Sequence, residues 1–245
     1  MLIALECSSW SYHAWGGYGS ETKKEGKMEQ FRDRREAGRR LAQKLSAYAN
    51  RSDVTIFALP RGGVPVAYEV ALALNAPLDI YIVRKLGLPG REELAIGAVG
   101  SGGVRVLNED IIYALNIPAE LINIVAQREL QEVERREHEY RGDRPAPDVH
   151  DRTVILIDDG LATGASMRAA VVGLRTQDPA RIVIAVPTAA PETCNAFYFK
   201  VDEIVCAMTP EPFFGVGRWY KDFSQTTDEE VRTLLHEANR QLLHG

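Results

Sequence analysis

Five short, almost uninterrupted apolar runs punctuate the chain: VTIFAL at 54–59, LDIYIV at the start of 78–87, VILI at 154–157, IVIAV at 182–186 and EIVCAM at 203–208. A strand with one wet face alternates apolar and polar residues. A run without alternation has to be covered on both faces. Stretches with helical spacing or Gly/Pro turn signals separate most of these runs. Doubly buried strands alternating with helices predict an α/β fold: an open, mostly parallel, twisted sheet flanked by helices. GVRVLN at 103–108 predicts a further strand, with AIGAV just before it as a hairpin partner.

The helical segments have their own signals. Phe31, Ala37, Leu41, Ala42, Leu45 and Ala49 share one face of a helix predicted over 29–49. VAYEVALALN predicts a second helix, stopping near Asn75 and Pro77. A long helix is predicted over 118–140, with Pro118 in its first turn and Leu121, Ile124 and Val125 on one side. Its second half is mostly charged, which predicts a solvated face, and Glu132 with Arg136 makes an i,i+4 pair. Thr227 and Glu230 have capping-box spacing at the start of a C-terminal helix. Residues 1–27 are rich in Ser, Gly and aromatics without periodicity, which predicts a disordered or non-native extension. Residues 28–245 show no linker or repeat and predict a single domain.

Composition narrows the function classes. The formal net charge of −5 argues against a dedicated nucleic-acid or anionic-membrane surface. No apolar run approaches the roughly 18 residues of a membrane span, and the N-terminus lacks the basic start of a secretion signal. Cys7, Cys194 and Cys206 have no metal or redox spacing, as expected of free thiols in a reducing cytoplasm. His138, His150 and His236 are read as surface residues, and no nucleophile triad can be assembled.

The chemistry is concentrated in VILIDDGLATGAS at 154–166. Ligands of parallel α/β sheets bind beyond the carboxyl ends of the strands, where Asp158 and Asp159 are expected. Two adjacent anions there need a reason. The small residues that follow let the backbone approach a ligand closely and lead into a helix, whose free N–H groups favour a phosphate. Hydroxyl-accepting carboxylates beside a monophosphate cradle match ribose 5-phosphate, and a nearby metal ion would relieve the repulsion.

This motif resembles the signature of the type I phosphoribosyltransferases. The resemblance implies binding of 5-phosphoribosyl 1-pyrophosphate (PRPP) with Mg²⁺. It implies that Asp158 and Asp159 hold the ribose hydroxyls and lie near the metal, in contact that is mainly indirect. Gly160, Leu161, Ala162, Thr163, Gly164, Ala165 and Ser166 would wrap the 5′-phosphate. LPRGGVP at 59–65 is similar to the family's pyrophosphate loop, which often carries a strained peptide, and implies roles for Arg61, Gly62 and Gly63. Arg84 and Lys85 are expected to end the second strand, one of them, Lys85 by preference, facing the same pyrophosphate. GLPGREELAIG at 87–97 is expected to be a mobile loop that closes over PRPP and brings Arg91 to it.

FFGVGRWYKDF at 213–223 is similar to the C-terminal tail, or hood, of purine enzymes of this family, which implies Phe214 stacking on the acceptor, with Trp219, Tyr220 and Asp222 as nearby candidates. Where hypoxanthine-guanine enzymes carry an aspartate before the motif's Thr-Gly, this chain has Ala162. FRDRREAGRRLA, LPRGGVPVA, RKLG and DDGLATGAS together resemble a bacterial family of phosphoribosyltransferase-like proteins without an assigned acceptor. The expected function is Mg²⁺-dependent transfer of phosphoribose from PRPP to a nitrogenous small molecule. The expected partners are these two small molecules, and the resemblance adds a homodimer. Two other readings keep the same pocket: a PRPP sensor acting on nucleic acid or a partner protein, for which 32–40, read first as a solvated helix face, would be the basic surface, and a hydrolase of PRPP or a nucleotide.

Overall fold

The computed structural model describes residues 30–242, so the expectation for residues 1–27 lies outside the described residues. The first helix, α1 (Arg34–Lys44), starts later than the apolar spacing suggests. Asp33 sets that start, because its side chain accepts the N–H of Glu36 at 2.7 Å. Phe31, left outside the helix, bridges to Tyr220 near the C-terminus. The chain then runs through β1 (Val54–Ala58), α2 (Gly63–Leu74) and β2 (Leu78–Ile80). A small antiparallel sheet follows, made of β3 (Val83–Leu88), β4 (Arg91–Gly100) and β5 (Val104–Leu107). Helices α3 (Glu109–Ala114) and α4 (Ala119–Arg141) lead back to the main sheet. The remainder is β6 (Thr153–Ile157), α5 (Ala165–Arg175), β7 (Arg181–Thr188), α6 (Pro191–Phe197), β8 (Glu203–Met208) and α7 (Asp228–Leu242).

The main sheet has the order β2-β1-β6-β7-β8, and every pair is parallel. Side chains alternate across it. Ile155, Ile157, Val183 and Ala185 face a cluster built with α1, α2, α4 and α7. Val154, Leu156, Ile182 and Ile184 face the opposite cluster with α5. The central strands β1, β6 and β7 are therefore buried on both sides, as their unbroken apolar runs require, whereas β8 at the sheet edge is half-buried along its length. From β1 the chain first moves outward to β2 and later returns to build β6, β7 and β8 on the other side. The strand order thus reverses between β1 and β6.

Three expectations are corrected. The apolar run over 78–87 is not one strand. Tyr81 still donates its N–H to Ala58 O at 2.9 Å, but the next N–H, of Ile82, goes to Ser101 Oγ at 2.9 Å, and the chain passes into the small sheet. The segment 87–97 is hairpin rather than loop, with β3 and β4 paired around a turn at Pro89 and Gly90. The second half of α4 is not wholly solvated. Arg141 and Asp79 pair at 2.9 Å with each side chain only 7% exposed. Glu129, also buried, accepts from both Arg84 and Arg128. The short helices α3 and α6 had no counterpart in the sequence reading. The cap at Thr227 is present, accepting the N–H of Glu230 at 3.1 Å. Among the described residues no helix is long and apolar enough to cross a membrane.

Helix α1 is held tightly against α2 at Gly38, where a Cβ would stand 2.5 Å from Val66 O and 2.9 Å from Glu69 Cβ. Helix propensity alone makes Gly38→Ala stabilising by about 1 kcal/mol, while overpacking against a backbone oxygen costs about 1–3 kcal/mol. The close approach wins: urea denaturation of Gly38→Ala is expected to show net destabilisation. A gain in stability would contradict this packing.

Candidate active site

The reversal between β1 and β6 opens a crevice beyond their carboxyl ends, the position where parallel α/β sheets bind ligands. The two strands are paired through Ala58 and Ile157, and Leu59 N–H extends the contact to Ile157 O at 2.8 Å. This brings the loop that starts at Pro60 against the acids at 158 and 159. The Pro60–Arg61 peptide is cis. Gly62 is forced to be glycine, since a Cβ there would overlap Asp159 Oδ2 and lie 3.3 Å from Arg34 Nε. Gly63 packs as closely on Ile157 O and Asp158 Cα, at 2.8 and 3.0 Å from a hypothetical Cβ. The expected pyrophosphate loop and the acid pair therefore share one contact surface.

The two acids have different surroundings. Asp158 lines a small cavity of about 170 Å³ together with Gly160 to Met167 and Val216, and its Oδ1 accepts the N–H of Asp159 at 2.8 Å. Asp159 is held through one oxygen. Its Oδ2 takes both Nε and Nη2 of Arg34, each at 2.9 Å, with side chains 11% and 15% exposed. Burial, reinforced by the neighbouring charge of Asp159, pushes the Asp158 carboxyl well above the usual carboxylate range. Burial also raises Asp159, against the opposing pull of Arg34. Tyr220 donates its hydroxyl to the backbone O of Asp159 at 2.6 Å, and burial beside these charges raises the phenol.

The cradle after the acids is braced from behind. Thr193 donates to Ala162 O at 2.5 Å and Arg168 donates to Thr163 O at 2.6 Å. With those carbonyls engaged, the free N–H groups of the first turn of α5 have no side-chain cap; the cap residue is Gly164, with φ 70°. Ala162, Thr163, Ala165 and Ser166 are exposed at this mouth. Leu161 is not part of it in the expected way: it is buried, and its N–H is spent on Thr188 O at 2.9 Å. Val216 closes the other wall, 2.5 Å from where a Cβ on Gly160 would lie. A larger cavity of about 590 Å³ lies between α5 and the small sheet and meets the first at Ala165 and Ser166.

The remaining expected residues separate into two groups. Arg61 borders the crevice, with Nη1 3.8 Å from Asp228 at the start of α7. Lys85 lines the larger cavity and reaches Glu93 at 3.3 Å, whereas Arg84 turns to Glu129 on α4. Neither ends a strand of the main sheet, because both belong to β3, past the crossing at Tyr81 and Ile82. Arg91 is exposed beside the hairpin turn. Phe214 is 71% exposed, with the Arg218 guanidinium 5.6 Å from its ring centroid. Trp219 is packed with Phe31, Ala37 and Tyr220, and its buried indole N–H has no partner among the described residues. His138, His150 and His236 are exposed, as expected.

The residue that sequence reasoning missed is Arg34. It lies in the basic stretch 32–40, read as a solvated face. Only its spacing from the apolar face of α1, seen together with the sheet order, would have pointed it at the crevice. Val216 was likewise visible only as part of an aromatic, glycine-rich tail, while Tyr220, a candidate beside the acceptor, instead bonds the backbone of Asp159.

The profile of the phosphoribosyl transferase domain matches residues 27–217. In Mycobacterium tuberculosis, "Putative phosphoribosyl transferase Rv0571c" (strain H37Rv) and its counterpart MT0597 (strain CDC 1551) are each 43% identical to this chain over 213 residues. The match covers 87% of this chain and 48% of each relative. The chain thus spans about half the length of the curated relatives it matches. The crystal structure of TT1426 from Thermus thermophilus is 42% identical, with a TM-score of 0.73 over 85% of this chain and 98% of that one. A crevice at the strand reversal, paired acids and an uncapped helix start thus stand inside a domain match spanning most of the chain: it belongs to the phosphoribosyl transferase family.

Proposed function

We propose that the protein transfers the phosphoribosyl group of PRPP, with Mg²⁺, to a nitrogenous acceptor and releases pyrophosphate. The observation that carries this reading is the juxtaposition of Asp158 with the uncapped start of α5 around one cavity. A sugar hydroxyl would meet the carboxylate while the 5′-phosphate meets the amides of 162–166, Thr163 Oγ1 and Ser166 Oγ. Both guanidinium contacts of Asp159 fall on Oδ2, so its Oδ1 is the oxygen left for the second hydroxyl. Gly62 and Gly63, in contact with the acids, and Arg61 beside them would receive the pyrophosphate.

Twin acids sharing the single counter-charge of Arg34 fit a divalent cation. Among the described residues no group of three or more His, Cys, Asp or Glu forms a cage. Asp158 and Asp159 would therefore hold Mg²⁺ mainly through its waters, the ligand's oxygens supplying the rest, and the ion would neutralise charge on the departing pyrophosphate.

In the reaction the C1–O bond to pyrophosphate breaks with its electron pair leaving on oxygen. The ribosyl carbon takes on oxocarbenium character, and a lone pair of the acceptor nitrogen forms the new C1–N bond. The acceptor nitrogen then loses its proton. The chain's contribution is positioning and charge stabilisation: Asp158 and Asp159 orient the ribose, and Arg61 steadies the leaving group. Lys85, on the hairpin side, and Arg91, at the exposed turn, would complete that charge if the hairpin closes over the ligand. Exposed Phe214 is the ring free to stack on a planar acceptor.

Incubation with PRPP, Mg²⁺ and a panel of purines, pyrimidines and pyridines is expected to release pyrophosphate with one acceptor class. Intact PRPP binding with silence across the panel would instead support a sensor, and release without any acceptor a hydrolase. Asp158→Asn replaces a hydroxyl-accepting oxygen with a donor amide, and a buried polar contact left unmade costs about 1–3 kcal/mol. PRPP affinity is expected to fall about tenfold or more, by calorimetry, with a melting temperature within about 3 °C of wild type. Unchanged affinity would remove the acid from the site.

A further inference from the structure

The guanidinium of Arg34 is used on every side. Nε donates to Asp159 Oδ2 with Nη2 in ion-pair contact with the same oxygen, Nη1 donates to Ser224 O at 2.6 Å, and Cζ lies 4.0 Å from the centroid of the Phe223 ring. Tyr220, between them, stacks on Phe223 at 5.1 Å and bonds the backbone of Asp159. Among the described residues no other cationic side chain is hydrogen-bonded to either acid of the pair. A lysine could supply charge at this position, but not a fork that meets a carboxylate, a carbonyl and an aromatic face together.

We propose that Arg34 is a positioning residue for the phosphoribosyl ligand: it pins Oδ2 of Asp159 so that Oδ1 faces the sugar, and it fastens the segment 219–224 to that acid. The inference rests on the sugar-phosphate reading of the site. It adds a residue from the far N-terminal helix and a consequence, that the sugar clamp and the wall expected to hold the acceptor are one mechanical unit. The close approach of Gly38 to α2 fixes the helix that carries Arg34. A shift of α1 would therefore be felt first at the ribose.

The test is calorimetric binding of PRPP, ribose 5-phosphate and pyrophosphate, each with Mg²⁺, to the wild type, Arg34→Met and Arg34→Lys. Arg34→Met is expected to weaken PRPP and ribose 5-phosphate by about tenfold or more, since a charged hydrogen-bonded pair is broken, while pyrophosphate changes by less than about threefold. Arg34→Lys is expected to recover part of the ribose 5-phosphate affinity and none of the fork's geometry. An equal loss for all three ligands would make Arg34 a general strut and overturn the inference, as would no loss for any. If Arg34→Met fails to fold, Arg34→Lys alone decides, by whether it weakens ribose 5-phosphate more than pyrophosphate. Failure of the wild type to bind PRPP overturns the reading of the site and this inference with it. Wild-type binding with unchanged affinity in the variants overturns the inference alone.

Discussion

Two neighbouring carboxylates at the end of a buried strand are the constraint around which this fold is arranged. Left alone in a half-buried crevice, the pair would neutralise itself by taking up a proton. Burial does raise both carboxyls, and the chain supplies one guanidinium that opposes the rise. Arg34 reaches from the first helix across the crevice to Asp159, which leaves Asp158 facing the cavity with a single backbone N–H for company. The result is asymmetric: one acid anchored to protein, the other presented to solvent and ligand. Removing Arg34 would leave Asp159 without its counter-charge, so the anchored acid depends on the first helix.

The rest of the architecture follows from holding that arrangement still. The reversal of strand order between β1 and β6 makes the crevice. The glycines at 62 and 63 let the neighbouring loop lie directly on the acids. Thr193 and Arg168 tie back the carbonyls behind the cradle, so its amide side is the one left open. The C-terminal segment closes the remaining wall, with Val216 against Gly160, Tyr220 bonded to the backbone of Asp159 and Phe223 under the Arg34 guanidinium. Segments far apart in the chain, at Arg34 and at Tyr220, thus converge on Asp159.

Much of this was legible in the sequence, for physical reasons that differ from element to element. Unbroken apolar runs can only be doubly covered strands, so the sheet and its class followed. The acids, the small residues and the helix after them form a local pattern, and local patterns survive without knowledge of the fold. Capping at Thr227 was readable for the same reason. What failed depended on partners distant in sequence. The run over 78–87 passes from one sheet to another because β1 ends before it does, which no periodicity within 78–87 can report. Arg84 reads as a strand-end cation until Glu129 is brought to it by α4. Arg34 looks like any solvated arginine on a basic helix until the crevice is assembled beside it. Trp219 and Phe214 look alike in an aromatic tail, and only packing separates the buried ring from the exposed one.

The claim on which the account stands is that the start of α5 and its preceding acids form a sugar-phosphate clasp. Its most direct test is a backbone amide NMR titration of the ¹⁵N-labelled protein with ribose 5-phosphate. The account predicts saturable shifts concentrated at Gly160 and at Ala162 to Ser166, with Leu161, whose N–H is already committed to Thr188, moving least in the loop. Shifts confined to other parts of the molecule, or none at concentrations that saturate a sugar-phosphate site, would contradict it.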